Sequence, residues 1–239
     1  LKIQATQAAA GLDLLATGGK TLDDALRVSL AAAALKHRLA RLSWNDEIVA
    51  TLSPPEQRIG PAKITPPPGS FLQATQHGET SLIETVSDIL KSASHVLDLF
   101  SGCGTFSLPL AQMAEIHAVE GEADMLAALD KAWRKTQGLK KISHEKRDLF
   151  RRPLLPDELN KFEAAVIDPP RAGAEAQVTM LAKSTIKTLA YVSCNPVSFA
   201  RDAKILTDAG YSLEAVTPVD QFRWSYHVEL VGAFHKAAA

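Results

Sequence analysis

Residues Val96 to Ala111 read VLDLFSGCGTFSLPLA, and this stretch decides the fold. An apolar, β-type run (Val96 to Phe100) breaks into a loop of small residues, Ser101-Gly102-Cys103-Gly104, and then into a Leu- and Ala-rich segment. That is strand, tight loop, helix. Gly102 and Gly104 let the backbone pass close to a ligand, and the helix behind them is expected to offer unpaired N–H groups and a positive dipole end. Asp98 lies inside the strand, where a carboxylate needs a reason to be. The three-glycine dinucleotide fingerprint is missing, because Ser107 stands where its third glycine would fall. Cys103, inside the loop, reads as filler.

Composition sets the bounds. A chain of 239 residues has room for one large α/β domain, or for a domain with an appendage. Its hydrophobic fraction of 46% supplies a full core. A net charge of -1 gives no global basic field, so any contact with nucleic acid must be local. The two cysteines, Cys103 and Cys194, lie too far apart in sequence for a metal cluster or a disulfide framework, so no metal is expected. Their scarcity fits a reducing cytoplasm. The apolar run Leu30 to Leu35 is too short to span a bilayer and no signal peptide opens the chain, so no membrane partner is expected. Leu1 in place of an initiator Met predicts that the chain starts inside a longer product.

Two regions follow from the pattern. Residues 1–68 read as a small α+β segment. Gly11 to Ala16 is a short strand closed by Gly18-Gly19. Thr21 and Asp24 cap a helix running to about Leu42, and Glu47 to Leu52 is a second strand. The run Pro66-Pro67-Pro68 reads as a stiff linker. In residues 69–239 strands and helices alternate. Strands are predicted at Val96–Phe100, Ile116–Val119, Lys141–Glu145, Phe162–Ile167 and Leu189–Ser193, with helices at Ser81–Ala93, Thr105–Ala114, Glu122–Gln137, Ala174–Lys183 and Phe199–Ala209. A closing pair, Tyr211–Thr217 and His227–Phe234, places an antiparallel strand at the edge of a parallel sheet covered on both faces.

Ligands of such sheets bind beyond the carboxyl ends of the strands. Here each end carries a residue able to do chemistry. Glu120 comes twenty-two residues after Asp98 (98 to 120), the distance at which an acid meets ribose hydroxyls. Asp148 is a candidate partner for an adenine amino group, or a surface ion pair with Arg147, Arg151 or Arg152. In Asp168-Pro169-Pro170-Arg171 the prolines fix the turn that presents Asp168. A related turn with an aromatic fourth residue marks methylation of exocyclic amines, and Arg171 argues against that chemistry here. Ser193-Cys194-Asn195-Pro196 sets one thiol at the same rim, where a helix start after Pro196 is expected to lower its pKa. His227-Val228-Glu229 is read as strand, with His227 and Glu229 on one face. Before the first helix of this region, Gln73 is placed to read a base edge or a ligand carboxylate, and Phe71 to stack or to join the core.

Taken together, these residues resemble the S-adenosylmethionine-dependent RNA uridine-5-methyltransferases, which make 5-methyluridine in bacterial tRNA and ribosomal RNA. The resemblance rests on Phe71-Leu72-Gln73, Asp98 through Phe106, Asp168 through Gly173, Ser193 through Pro196 with Arg201-Asp202, and His227 through Glu229. It implies a Rossmann-like class I methyltransferase fold whose seven-stranded sheet is mostly parallel. It implies that Gln73, Asp98, Phe100, Gly102, Gly104, Thr105, Glu120, Asp148 and Asp168 hold S-adenosylmethionine. Phe71, Gln73, Asp168 and His227 would meet the uridine of an rRNA or tRNA, with Cys194 as nucleophile, Glu229 as base and Asp168 beside donor and uracil. The chain departs from the pattern at Ser101, Thr75 and Gln221-Phe222-Arg223-Trp224, where a Met-Phe-Pro sequence is more common. Many members carry an upstream RNA-binding barrel and some an iron-sulfur cluster on four cysteines, and neither fits in these residues.

Three other readings compete. A cytosine-5-methyltransferase of RNA also uses a cysteine adduct, but an acid such as Glu229 suits uracil better. A degenerate fold that binds RNA without catalysis is opposed by the intact set of Cys194, Glu229 and Asp168. A nicotinamide-dependent oxidoreductase is opposed by the missing third glycine.

Overall fold

The computed structural model describes residues 1–222 and 224–237. The chain divides into two compact units, Leu1–Phe71 and Leu72–Ala239. In the first, β1 (Lys2–Ala8) and β2 (Gly11–Thr17) form a hairpin, α1 (Asp24–Lys36) crosses over, and β3 (Arg41–Trp44) pairs parallel to β2 and antiparallel to β4 (Glu47–Thr51). A second hairpin joins β5 (Gln57–Ile59) to β6 (Ala62–Ile64). The helix expected to reach Leu42 stops at Lys36. Arg38 takes a left-handed φ of 50°, and Arg41–Trp44 goes into the sheet, where ladder bonds and burial outweigh the helical propensity of the alanines before it. Asp23, not Thr21, caps α1, accepting from the Leu26 N–H at 2.7 Å.

The proline run is not a bare spacer. Pro66 is buried and its carbonyl accepts from Arg41 Nη2 at 2.9 Å. Arg41 is itself clamped by Asp13 through Nε at 2.8 Å and Nη2 at 2.6 Å. A paired buried guanidinium therefore holds the run against the first unit.

The second unit consists of α2 (Gln76–Leu90), β7 (His95–Leu99), α3 (Ser107–Leu110), β8 (Glu115–Glu120), α4 (Ala123–Lys135), β9 (Ile142–Lys146), α5 (Pro156–Leu159), β10 (Ala164–Ile167), α6 (Glu175–Ala182), β11 (Thr188–Ser193), α7 (Pro196–Asp208), β12 (Tyr211–Val219) and β13 (Glu229–Lys236). Its seven strands are ordered β12-β13-β11-β10-β7-β8-β9. The central strands pair in parallel, and β13 runs against both β11 and β12. This is the Rossmann-like class I methyltransferase architecture. Strands such as Val96–Leu99, apolar but for Asp98, and Ala164–Ile167 are buried on both faces, with Leu97, Ile167, Leu189, Tyr191 and Phe234 in the core. From β7 the chain winds outward through β8 and β9, then returns to the other side of β7 with β10 and β11. The order reverses between β7 and β10, the place at which sheets of this kind bind ligands beyond their strand ends.

Two details differ from expectation. The helix after the glycine loop is a single turn, Ser107–Leu110, since Gly102 and Gly104 adopt φ values of 52° and 93° and Ser107 is tied down to Asp98. Its dipole is correspondingly small. His227 precedes β13 instead of lying in it, so the expected sharing of a strand face with Glu229 does not occur. Among the described residues no helix is long and apolar enough to cross a membrane.

Candidate active site

Neighbouring strands deliver their ends to one rim. The register Ser193↔Leu230 sets Cys194, just past β11, beside Glu229 at the start of antiparallel β13. Asp168 follows β10 directly, and its N–H donates to the Leu99 carbonyl at 3.2 Å, which places it next to Phe100 at the end of β7. Cys194, Glu229 and Asp168 thus lie side by side across three strands. Asp98 lies below them, wholly buried.

Burial and mutual repulsion dominate the electrostatics. Burial pushes Asp98 up to about 7, against the pull of Ser107, whose hydroxyl donates to Oδ2 at 2.6 Å. Burial, then the charges of Glu229 and Asp98, push Asp168 up to about 8. Burial alone raises Glu229. The Cys194 thiol is raised as well, by burial and then by Glu229 and Asp168, which reverses the expected lowering. Helix α7 does start at Pro196. However, Asn195 caps it with its own side chain, accepting from the Val197 N–H at 3.1 Å, and burial of the thiol beside Glu229 and Asp168 outweighs the helix.

The glycine loop is built around Glu120. Its carboxylate accepts from the Gly102 N–H and the Glu122 N–H, each at 3.0 Å, and so holds the loop on β8. Phe100 enters the loop at φ 62°, a strained value for a non-glycine residue, with its ring 5.3 Å from Phe150. Gly104 is packed so closely on Leu129 that a Cβ would overlap it, whereas a Cβ at Gly102 would meet nothing within 4 Å. Thr105 is half-buried at the end of the loop. Cys103 Sγ lies 3.0 Å from Met125 Sδ. Asp98 Oδ1 and Ser101 Oγ are buried without a hydrogen-bond partner among the described residues.

Asp148 is exposed and caps its own turn, accepting from the Phe150 N–H at 3.0 Å, with Arg151 Nε 3.5 Å from its Oδ2. That geometry is compatible with both the ligand reading and the ion-pair reading. Gln73 accepts from Gln221 Nε2 at 2.7 Å. Phe71 closes the first unit and is exposed. His227 is half-buried between Tyr226 and Phe222, with ring centroids 4.5 Å and 6.2 Å away. Trp224 and Tyr226, on the same loop before Glu229, are exposed, and Trp224 has a φ of 66°.

A clasp beneath the site escaped the sequence reading. The Arg171 carbonyl accepts from Asn195 Nδ2 at 2.9 Å and from Ser198 Oγ at 3.1 Å, which joins the turn after Asp168 to the turn after Cys194. Buried Asp202 completes it by accepting from the Ala174 N–H at 2.7 Å, the Tyr191 hydroxyl and Arg201 Nε. The dipeptide Arg201-Asp202 was visible as a motif, but its partners are distant in sequence. Gln221 and Ser107 carried a weaker signal, each occupying a position where another residue was expected.

The family model described as tRNA (uracil-5-)-methyltransferase matches residues 19–237. An uncharacterized RNA methyltransferase of Brucella suis biovar 1 is 48% identical over 235 residues, covering 98% of this chain and 57% of that protein. The 23S rRNA (uracil(1939)-C(5))-methyltransferase RlmD of a Shewanella species is 35% identical over 170 residues, covering 70% of this chain and 38% of that protein. The chain therefore spans little more than half the length of the Brucella relative and matches a smaller share of RlmD. Among solved structures, the Pyrococcus abyssi tRNA (uracil-54, C5)-methyltransferase in complex with S-adenosyl-L-homocysteine superposes with a TM-score of 0.78 at 20% identity, covering 97% of this chain and 58% of that one. At that identity the likeness speaks for the fold.

Proposed function

The chain belongs to the tRNA (uracil-5-)-methyltransferase family, and from that premise we propose that it transfers the methyl group of S-adenosylmethionine to carbon 5 of a uridine in RNA, through a covalent adduct on Cys194. The observation behind this reading is the adjacency of Cys194 and Glu229 on facing strands with Asp168 alongside. One thiol and one buried carboxylate are what addition at carbon 6 and proton loss from carbon 5 demand.

The glycine loop fits the methyl donor. Two buried polar atoms, Asp98 Oδ1 and Ser101 Oγ, lack protein partners among the described residues, and the space beyond Gly102 is open. Asp98, Phe100, Gly102, Gly104, Thr105, Glu120 and Asp148 would hold the donor, with Gln73 and Asp168 at its reacting end. Bound there, S-adenosylmethionine supplies an electrophilic methyl group.

Cys194 does the first work. Its thiol proton passes to water at the open rim, its sulfur bonds to carbon 6 of the uracil, and the double-bond electrons move onto carbon 5 and the neighbouring carbonyl oxygen. Asp168, pushed up to about 8, keeps its proton at neutral pH and donates a hydrogen bond to that oxygen. Once carbon 5 is methylated, Glu229 takes its proton. The C–H electrons then restore the ring double bond, and the carbon–sulfur bond breaks with its electrons returning to Cys194. Burial makes Glu229 a stronger base than an exposed carboxylate.

RNA is favoured as the partner by the exposed Trp224 and Tyr226 rings, which offer stacking faces for unpaired bases beside the site. The reading is tested with the full-length protein, S-adenosylmethionine and RNA containing 5-fluorouridine, whose fluorine cannot leave as a proton. Mass spectrometry should find RNA bound to the Cys194 peptide, and none after Cys194→Ala. Folded protein that forms no adduct would falsify the mechanism. Nucleoside analysis of RNA from cells lacking the gene identifies the target through the missing 5-methyluridine.

A further inference from the structure

We propose that Gln221 is a positioning residue that fixes the amide of Gln73 with its NH2 group turned toward the ligands, so that toward them Gln73 acts as a hydrogen-bond donor. The inference rests on the proposed methyl transfer and names a device that tunes it. Gln221 lies just beyond Val219, whose register partner is Glu229, so it stands at the rim of the same site.

The direction of the chain of hydrogen bonds is set by a group that cannot turn round. The backbone N–H of Thr75 points to Gln221 Oε1 at 3.4 Å, and a backbone N–H can only donate. The oxygen of the Gln221 amide is therefore at Thr75, which leaves its Nε2 to donate to Gln73 Oε1 at 2.7 Å. Gln73 has spent its oxygen, and among the described residues nothing accepts from its Nε2. The Gln221 side chain is buried and packed on the first turn of α2 at Gly78, where a Cβ would collide with Gln221 Oε1. Thr75 is fixed in turn as the cap of α2, accepting from the Gly78 N–H at 3.0 Å. Each amide in the relay is thus oriented by its neighbour, starting from the helix cap.

A donor at this rim needs an acceptor oxygen on the ligand. Two sources carry one, the carboxylate of the methyl donor and a carbonyl of the uracil. Asp168 has a single proton to give and Glu229, when ionised, has none, which leaves a fixed NH2 group a distinct task.

Two substitutions in the full-length protein separate orientation from structural support. Gln221→Glu keeps the size and the bond from Thr75, but its carboxylate can only accept, so it draws the Gln73 NH2 toward itself and turns the oxygen to the ligands. Gln221→Met removes both bonds and leaves Gln73 free to rotate. The expectation is that Gln221→Glu weakens ligand binding about tenfold or more, while Gln221→Met weakens it only about two- to fivefold. S-adenosylhomocysteine affinity is read by calorimetry and the RNA interaction by KM. A loss confined to the first assigns Gln73 to the donor's carboxylate, and a loss confined to the second assigns it to the uracil. If neither quantity moves, or if Gln221→Met is the more damaging, Gln221 does not orient Gln73. If the unaltered protein binds no S-adenosylhomocysteine, it is the methyltransferase reading that fails.

Discussion

The Tyr191 hydroxyl donates to Asp202 Oδ2 at 2.5 Å, and the same oxygen accepts the Ala174 N–H at 2.7 Å, so one buried carboxylate ties a core strand to the loop after Asp168. The other oxygen takes Arg201 Nε at 2.8 Å. Tyr191→Phe removes one bond and should cost about 1 to 2 kcal/mol. Asp202→Ala strands an amide, a phenol and a guanidinium together, and should cost about 3 to 5 kcal/mol. Urea unfolding followed by circular dichroism reads both. Equal losses from the two variants would show that Asp202 is not the hub.

The two glycines of the donor loop should part company. Gly104 combines a φ of 93° with direct packing on Leu129, so Gly104→Ala must displace a core side chain and should cost about 2 to 4 kcal/mol. Gly102 has a φ of 52° and open space around its Cβ direction, so Gly102→Ala should cost only about 1 kcal/mol. If Gly102 is where a ligand approaches, its alanine variant nevertheless loses S-adenosylmethionine affinity. Thermal melts and calorimetry on the same samples check the pair, and a Gly102 variant as unstable as the Gly104 variant would contradict the packing.

How much could be read in advance depended on how local the cause was. The parallel strands β10 and β11 were legible because burial on both faces makes continuous apolar runs, β7 and β8 because their runs are broken only by Asp98 and His117, and Gly138 and Gly210 mark helix ends with positive φ. Strand β1 was not, since Lys2–Ala8 is largely exposed and offers only Ile3 and two alanines as apolar residues. Arg41–Trp44 was hidden behind an alanine-rich helix, because its strand character comes from pairing with Asp13–Ala16, twenty-eight residues earlier (41 to 13). Single residues at strand ends, such as Asp168 and Glu120, could be found from the alternation alone. Their mutual effects could not. The raised thiol of Cys194 depends on burial and on Glu229, thirty-five positions away in sequence (194 to 229), and the relay from Thr75 to Gln221 links residues 146 positions apart.

Exposed rings that serve RNA should affect recognition and leave the chemistry alone. Trp224→Ala and Tyr226→Ala remove large side chains from solvent, so stability should change by no more than about 0.5 kcal/mol. Stacking of one base is worth about 1 to 3 kcal/mol, which predicts a rise in KM for RNA of about fivefold or more with kcat little changed. Single-turnover kinetics separate the two. A fall in kcat with an unchanged KM would mean that the loop shapes the site around Glu229 instead of holding RNA.

Buried Asp98 makes the ligand-free protein sensitive to pH in a defined direction. A carboxyl whose folded-state pKa is about 7, against an ordinary 3.8, is favoured by the fold only while protonated. Its contribution is fully present below about pH 4 and is lost as pH rises toward 7, by an amount on the order of 2 to 4 kcal/mol. Glu158 works the other way, since Arg147 and the Leu155 N–H hold it down at about 2, so its contribution is lost only in strong acid. Asp168, pushed up to about 8, and Glu229, raised by burial, lose stability in the same direction as pH rises, so a comparison of variants is needed to isolate the Asp98 slope. Asp98→Asn keeps an acceptor for the Ser107 hydroxyl and has no charge to bury. Denaturant midpoints at about pH 4, 5.5 and 7 should show the Asp98→Asn variant gaining steadily on the unaltered protein as pH rises. A constant difference would mean that Asp98 is ionised throughout and that its unpartnered oxygen is satisfied by solvent.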